Sequence, residues 1–260
     1  MSPEEFKRRL QKHVGGFAKA VSTDDGDWIV KGFIDVFENI YTISVDTKVV
    51  SKVLELLLFP ELARFAMENG LKLILAEHQN HYPDICFVAP GGEHFAVDLK
   101  STYRKSDGQV NGMTLGAFTG YFRERDSNKN VIVPYNRFAA HFVLGAIYSR
   151  SSEAVDEKRC YALRDLKAIK SVVRDFEFFV QDKYRIATDR PGSGNTKNIG
   201  SVTGIEQLRD GTGPFAEHGL SVFDDYWRHY LTKDMARAAE LERPPYTNLE
   251  GYVAYKRLPQ

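Results

Sequence analysis

The chain has 260 residues, 43% of them hydrophobic and 27% charged, with 35 Lys and Arg set against 35 Asp and Glu. That length buries a substantial core in one or two domains, and the zero net charge points to no polyanionic partner. No run approaches the roughly 18 apolar residues of a membrane helix. Cys86 and Cys160 stand far apart and outside any Cys/His cluster, which argues against a zinc site or a disulfide framework. The N-terminus, MSPEEFKRRLQKH, is charged and lacks the apolar stretch of a secretory leader, so a cytoplasmic setting is expected.

Residues 1–21 are predicted to be helical, with Phe6, Leu10, Val14 and Phe17 at helical spacing. After the turn TDDGD, WIVKGF and YTISV read as short strands. Asp46 and Thr47 offer N-cap side chains to a helix over TKVVSKVLELLL. Pro60 is predicted to interrupt it before a second helical stretch, ELARFAMENG, that stops at Gly70. LKLILA, ICFV and FAVDLKSTY read as strands, the last two joined by the turn PGGE. Phe138, Phe142, Leu144 and Ile147 predict a helix over Tyr135–Tyr148, and FEFFVQDKYRIA predicts a strand. TDRPGSGNTKNIGS has neither period and reads as a loop. FDDYWRHYL and DMARAAELE read as helices, and the tail after Pro244 as irregular. Helices and strands alternate without a regular βαβ count, which predicts an α/β fold with a mixed sheet flanked by helices.

The chemistry concentrates in NHYPDICFVAPGGEHFAVDLKSTY, residues 80–103. Strand period puts Asp98 and Lys100 on one face of FAVDLKSTY and Val97 and Leu99 on the other, and Asp84 opens the neighbouring strand. A carboxylate on a half-buried strand is costly unless paired, hydrogen-bonded or bound to a cation. Two that converge make a hard-oxygen site suited to Mg2+. A lysine beside it orients water or stabilises charge on a phosphate oxygen. The same residues also fit a plain ion pair on an edge strand, and PD…DxK alone is short and degenerate.

Other features leave two accounts open. Residues 100–137 hold seven Lys and Arg against three Asp and Glu, which suits a phosphate-binding channel as well as scattered surface charge. Glu55 lies on one polar helical stripe with Lys48, Ser51 and Lys52, a solvated face or a face turned to a site. In GSGNTKN, Gly192 and Gly194 leave the backbone bare, Asn195 carries an amide suited to an adenine edge, and Thr196 offers a methyl for thymine. A flexible turn is the plainer account of that loop. It is not a Walker loop, since GKS or GKT is absent.

PD, a strand, then (D/E)xK on the next strand is the signature of the PD-(D/E)XK nuclease superfamily. With it, VDTKVVSKVLEL (45–56), QNHYPD (79–84), VDLKSTY (97–103), VQDKYRIA (180–187), GSGNTKNIGS (192–201) and DYWRHY (225–230) follow in order. Together they resemble the EcoRV family of type II restriction endonucleases, over roughly residues 41–230. The resemblance implies a restriction-endonuclease-like fold, a single endonuclease domain over 1–260. Within it, a small dimerisation subdomain is expected in about the first 45 residues and a DNA-binding and catalytic subdomain from residue 46 onward.

The resemblance also implies roles. Asp84 and Asp98 would ligate Mg2+, Lys100 would be the catalytic lysine, and Glu55 an accessory metal or water ligand, with Asp46 and Lys48 in the matching DTK stretch. Gly192, Ser193, Gly194, Asn195 and Thr196 match the loop that reads the outer bases of GATATC. Lys197 stands where the family has a neutral residue and offers a phosphate contact. Gln79 and Asn80 match a loop on the minor groove and backbone, in which His78 replaces a glutamine. Thr102, Thr119 and Lys129 match positions near the DNA backbone, with Gly120 in place of a hydroxyl residue. The implied partner is double-stranded DNA, cut to blunt 5′-phosphate ends by a homodimer whose twofold axis matches a palindrome, with no membrane and no nucleotide cofactor. A structure-selective or repair nuclease would share the Asp84, Asp98 and Lys100 centre and differ at GSGNT, and a DNA-binding protein with a decayed site would bind without cutting. His81 and His141 are expected to be a hydrogen-bonded loop residue and a satisfied core or helix residue, not metal ligands.

Overall fold

The computed structural model describes all residues except 79, 152–155, 157, 193–195 and 258–260. Helices α1 (Pro3–Lys12) and α2 (Val14–Val21) lead into a short hairpin, β1 (Gly32–Ile34) and β2 (Asn39–Thr42), and then the long helix α3 (Thr47–Glu68). Five strands follow: β3 (Lys72–Leu75), β4 (Ile85–Val88), β5 (His94–Ser106), β6 (Gln109–Val110) and β7 (Thr114–Ala117). Next come β8 (Phe138–Arg150), β9 (Cys160–Ala162) and β10 (Val173–Asp182). A one-turn helix, α4 (Lys183–Ile186), opens onto a second hairpin, β11 (Ala187–Pro191) and β12 (Asn198–Ser201). Four helices complete the described chain: α5 (Ile205–Asp210), α6 (Gly219–His229), α7 (Lys233–Ala238) and α8 (Leu249–Arg257).

The central sheet runs β10–β8–β5–β4–β3, with β6 added along β5. β5 and β8 are parallel and their other neighbours antiparallel, so the sheet is mixed and flanked by helices, as predicted. One face packs on α1, α2 and α3 through Phe6, Leu10, Phe17, Leu62 and Phe65. The Phe6 ring stacks on Phe95 at 4.4 Å and meets Phe65 edge-on at 5.8 Å. The other face packs on a second apolar cluster that includes Leu115, Phe118, Phe223, Tyr226 and Trp227. Two smaller sheets, β1–β2–β9 and β11–β12–β7, stand beside the main one.

Four expectations need correction. The helix predicted over Tyr135–Tyr148 is β8, buried for most of its length between β5 and β10. Both its faces are covered, so its apolar residues do not alternate, and their helical spacing is coincidental. α3 does not break at Pro60 but runs for 22 residues, about 33 Å. Pro60 and Leu56, whose carbonyl loses its helical partner there, are both exposed, on the side of the helix where solvation offsets the lost hydrogen bond. The tail after Pro244 holds α8, where Asn248 Oδ1 accepts from the Gly251 N–H at 2.8 Å and Leu249 and Tyr252 are buried. TDRPGSGNTKNIGS is the β11–β12 hairpin rather than a plain loop. Its arms close tightly: the Gly192 N–H donates to Asn198 O at 3.0 Å, and a Cβ on Gly200 would lie 2.8 Å from Gly192 Cα. A smaller difference is that residues 1–21 form two helices joined at His13. Among the described residues no helix is long and apolar enough to cross a membrane.

β8 also carries Gly145 opposite Phe179 of β10, where a Cβ would fall 2.1 Å from the ring. Gly145→Ala is therefore expected to overpack the sheet and destabilise the protein by about 1–3 kcal/mol, read as a lower midpoint in urea denaturation.

Candidate active site

β5 outruns its neighbour. β4 pairs with it only from His94 to Val97, and just beyond, Asp84 enters ahead of β4 while Asp98 follows on β5. The Leu99 N–H, past the last β4 pair, donates to Asp84 Oδ2 at 2.8 Å. The Asp84 N–H in turn donates to Asp98 Oδ1 at 3.4 Å. Lys100 Nζ lies 3.2 Å from Asp84 Oδ2, 3.8 Å from Asp98 Oδ2 and 3.2 Å from the Leu99 carbonyl. The strand period thus delivers the three side chains to one point.

Their environments differ. Asp98 is 3% exposed, and burial pushes its carboxyl above the usual range, against the pull of Lys100 and with the like charge of Asp84 adding to the rise. Burial pulls Lys100 down, but Asp98 and Asp84 outweigh it and hold the ammonium above its ordinary value. Lys100 is therefore a cation throughout the neutral range.

The donor set fits a hard divalent cation. Asp98 is a buried carboxylate whose hydrogen-bond and ion-pair partners are one long amide contact and a lysine at 3.8 Å, which leaves its oxygens open to a further ligand. Among the described residues, no three His, Cys, Asp or Glu side chains gather closely enough to hold a metal ion. An ion here would rest on Asp84 and Asp98 and fill its shell from water and substrate, the habit of Mg2+.

Glu55 of α3 lines the same cavity of about 210 Å³ as Asp84, Lys100 and Ser101. Its Oε1 accepts from Lys52 Nζ at 2.9 Å, so it stands beside the centre without forming a three-carboxylate cluster. A neighbouring hollow of about 460 Å³ shares Asp84 and Glu55 and reaches Glu77 and His78. The Ser51 and Ser101 hydroxyls share a hydrogen bond at 2.7 Å that ties α3 to β5. Asp46 caps α3, its Oδ1 accepting from the Lys48 and Val49 N–H groups at 2.8 and 3.3 Å, while the Lys48 side chain is exposed.

The residues matched to DNA contacts are scattered around this centre. Gln79, Ser193, Gly194 and Asn195 lie outside the described residues. Gly192 closes β11, Thr196 is half-buried, and Lys197 is exposed with its carbonyl accepting from the Phe118 N–H at 3.0 Å. Asn80 is exposed and its Nδ2 donates to Asn130 Oδ1 at 3.4 Å. Lys129 is exposed on the loop before β8. Thr119 is half-buried at the head of a short 3-10 turn, and a side chain at Gly120 would meet open space. Thr102 points inward: it is buried and its hydroxyl donates to the Asn111 carbonyl, which braces the link from β5 towards β7. His81 packs edge-on against His78 at 4.8 Å. His141 is a core residue, on a strand: its Nδ1 shares a 2.8 Å hydrogen bond with the Tyr82 hydroxyl. Burial, then Lys183 and Arg125, hold it neutral.

Sequence reasoning missed Lys183, which opens α4, is buried, and favours the charged form of Asp98. Its only signal in the sequence is a lysine directly after a strand that carries the apolar run Phe178–Val180.

The family described as "Restriction endonuclease EcoRV" matches residues 24–257. Type II restriction enzyme EcoRV of Escherichia coli is 31% identical to this chain over 236 residues, which cover 90% of this chain and 93% of that protein.

Because the folded-state pKa of Asp98 lies above its unfolded value, ionising it destabilises the fold at any pH above the unfolded value, and the penalty vanishes as the pH falls below that value. Asp98→Asn is thus expected to raise the thermal midpoint at pH 7 in EDTA, with the gain shrinking as the pH is lowered through the carboxylate range. An unchanged or lower midpoint at pH 7 would mean that the lysines outweigh burial.

Proposed function

The chain belongs to the EcoRV family of restriction endonucleases and is a type II restriction enzyme, and on that footing we propose that it cuts both strands of double-stranded DNA at GATATC as a Mg2+-dependent homodimer, leaving blunt ends. The observation that carries this reading is the meeting of Asp84, Asp98 and Lys100 where β5 outruns β4, at the mouth of an open cavity.

Asp84 and Asp98 would hold the divalent cation, which when bound supplies positive charge against the phosphate oxygens. Lys100 keeps its proton, so it acts as a donor and not as a base: its ammonium orients the attacking water or stabilises the charge growing on the phosphate. The water oxygen forms the new bond to phosphorus and its proton leaves to solvent. The bond to the 3′-oxygen breaks, and that oxygen takes a proton, giving 5′-phosphate and 3′-hydroxyl ends. Glu55, beside Lys100, is proposed as an accessory group for water or metal.

Base reading is assigned to the β11–β12 hairpin, with Asn195 for an adenine edge, Thr196 for a thymine methyl and Lys197 for a phosphate. Gln79, Asn80, Thr119 and Lys129 are assigned to the DNA backbone and minor groove. The central TA step of GATATC is easily unstacked, so part of the specificity is indirect.

The dimer reading is supported by exposed apolar side chains on the β1–β2 hairpin and just after β9. Val36 is 90% and Phe37 81% exposed, with Phe33, Ile34 and Tyr41 exposed beside them and Leu163 and Leu166 exposed just after β9. Several large apolar side chains exposed together on one hairpin suit an interaction site. It draws on the segment expected to dimerise and adds residues from 160 onward.

A plasmid bearing one GATATC site is expected to be linearised with blunt ends in Mg2+, and to stay intact in EDTA or with Asp98→Ala. Cutting at another sequence would keep the centre and overturn the assigned site. Phe37→Glu is expected to shift the mass seen by light scattering from dimer to monomer, and a wild-type protein that is already monomeric would sink the dimer reading.

A further inference from the structure

Lys183 is 1% exposed, and among the described residues its Nζ has no hydrogen-bond partner. The ammonium stands over the Tyr82 ring, 4.4 Å from its centroid, a cation–π contact that strengthens when desolvated. Burial lowers its pKa to about 8, and Asp98 is the foremost of the charges that favour the ammonium, with Lys100 opposing. A buried cation without a hydrogen-bonded partner is a costly way to fill space. A methionine or leucine would pack there without the penalty, so packing alone does not account for the lysine.

Its location is a junction. Before it in the chain is β10 of the central sheet, and after it begins the β11–β12 hairpin. Beside it is Gly116 of β7, the strand that pairs with β12, where φ is +102° and a Cβ would come 3.2 Å from Lys183 Nζ. Above it is Tyr82, two residues ahead of Asp84, whose ring stacks on Tyr121 at 4.8 Å. Lys183 therefore touches both the segment that delivers Asp84 and the strand pair that carries the hairpin. Asp98 feels two lysines, Lys100 at 3.8 Å and the buried Lys183.

We propose that Lys183 is a positioning residue for cleavage: its ammonium, seated on the Tyr82 ring and against Gly116, couples the setting of the Asp84 and Asp98 carboxylates to the β11–β12 hairpin. It contacts neither DNA nor the cation. A displacement of about 1 Å at a reacting centre lowers a rate by about 100-fold, and losing the coupling is expected to act through such a shift. The inference rests on reading Asp84, Asp98 and Lys100 as the cleavage centre.

The test uses full-length wild type, Lys183→Met and Lys183→Arg, each checked for folding by its thermal midpoint. Affinity for a GATATC duplex is measured in EDTA, and single-turnover cleavage in Mg2+ well below the midpoints. Lys183→Met is expected to bind as wild type does and to cut about 100-fold more slowly, with Lys183→Arg, which keeps the charge, recovering part of the rate. A merely structural lysine would move the midpoint without this split between binding and rate. A folded Lys183→Met that cuts at the wild-type rate, affinity and rate falling together, a folded Lys183→Arg as slow as Lys183→Met, or neither variant folding would each overturn the inference while wild type still cuts. Wild-type protein that cuts no DNA would overturn the cleavage centre itself, and this inference with it.

Discussion

The hydrogen bond from the Leu99 amide to the Asp84 carboxylate is the contact on which the site depends. A strand that continues past its neighbour leaves backbone donors unpaired, and those donors need acceptors. Here the acceptor is the Asp84 carboxylate. One contact ends the β4–β5 ladder, fixes Asp84 and sets the acid within reach of Lys100. Shortening β4 relative to β5 is thus how the fold makes both the opening and the group that lines it.

The charges around that contact oppose stability. Asp98 is buried and pushed towards its neutral form, while Lys100 is kept charged by the two acids it faces. Lys183 brings a further ammonium into the interior, with an aromatic face in place of a hydrogen-bond acceptor. Buried charges held this way oppose stability, the usual cost of a site arranged for chemistry. The apolar surroundings are stiff enough to hold it: β5 lies between β4 and β8, and the aromatic stack around Phe6 backs the same sheet.

The meeting of Asp84, Asp98 and Lys100 was readable because strand period sets Asp98 and Lys100 on one face, and a proline before Asp84 marks the start of the neighbouring strand. The cap at Asp46 was readable for the same local reason. β8 was not, because a strand covered on both faces has no alternation to read, and four of its apolar residues happen to fall at helical spacing. Pro60 misled because the sequence does not say which side of the helix faces water. The α8 cap at Asn248 is a local signal that the sequence does contain. Thr102 and Lys183 depend on tertiary burial: one hydroxyl turned to a carbonyl, one ammonium turned to a ring. Neither direction is encoded within a few residues of the side chain.

The small sheet at the apolar face has a consequence for how the chain is made. β2 gains its outer partner only when Tyr41 meets Cys160, so that edge stays open until the chain has grown past residue 160. By then β3, β4, β5 and β8 have already been synthesised, and the central sheet has had time to form first. A chain that stopped earlier would carry an unpaired strand edge of the kind that recruits other strands. An incomplete chain of this kind is therefore more exposed to aggregation than the complete one.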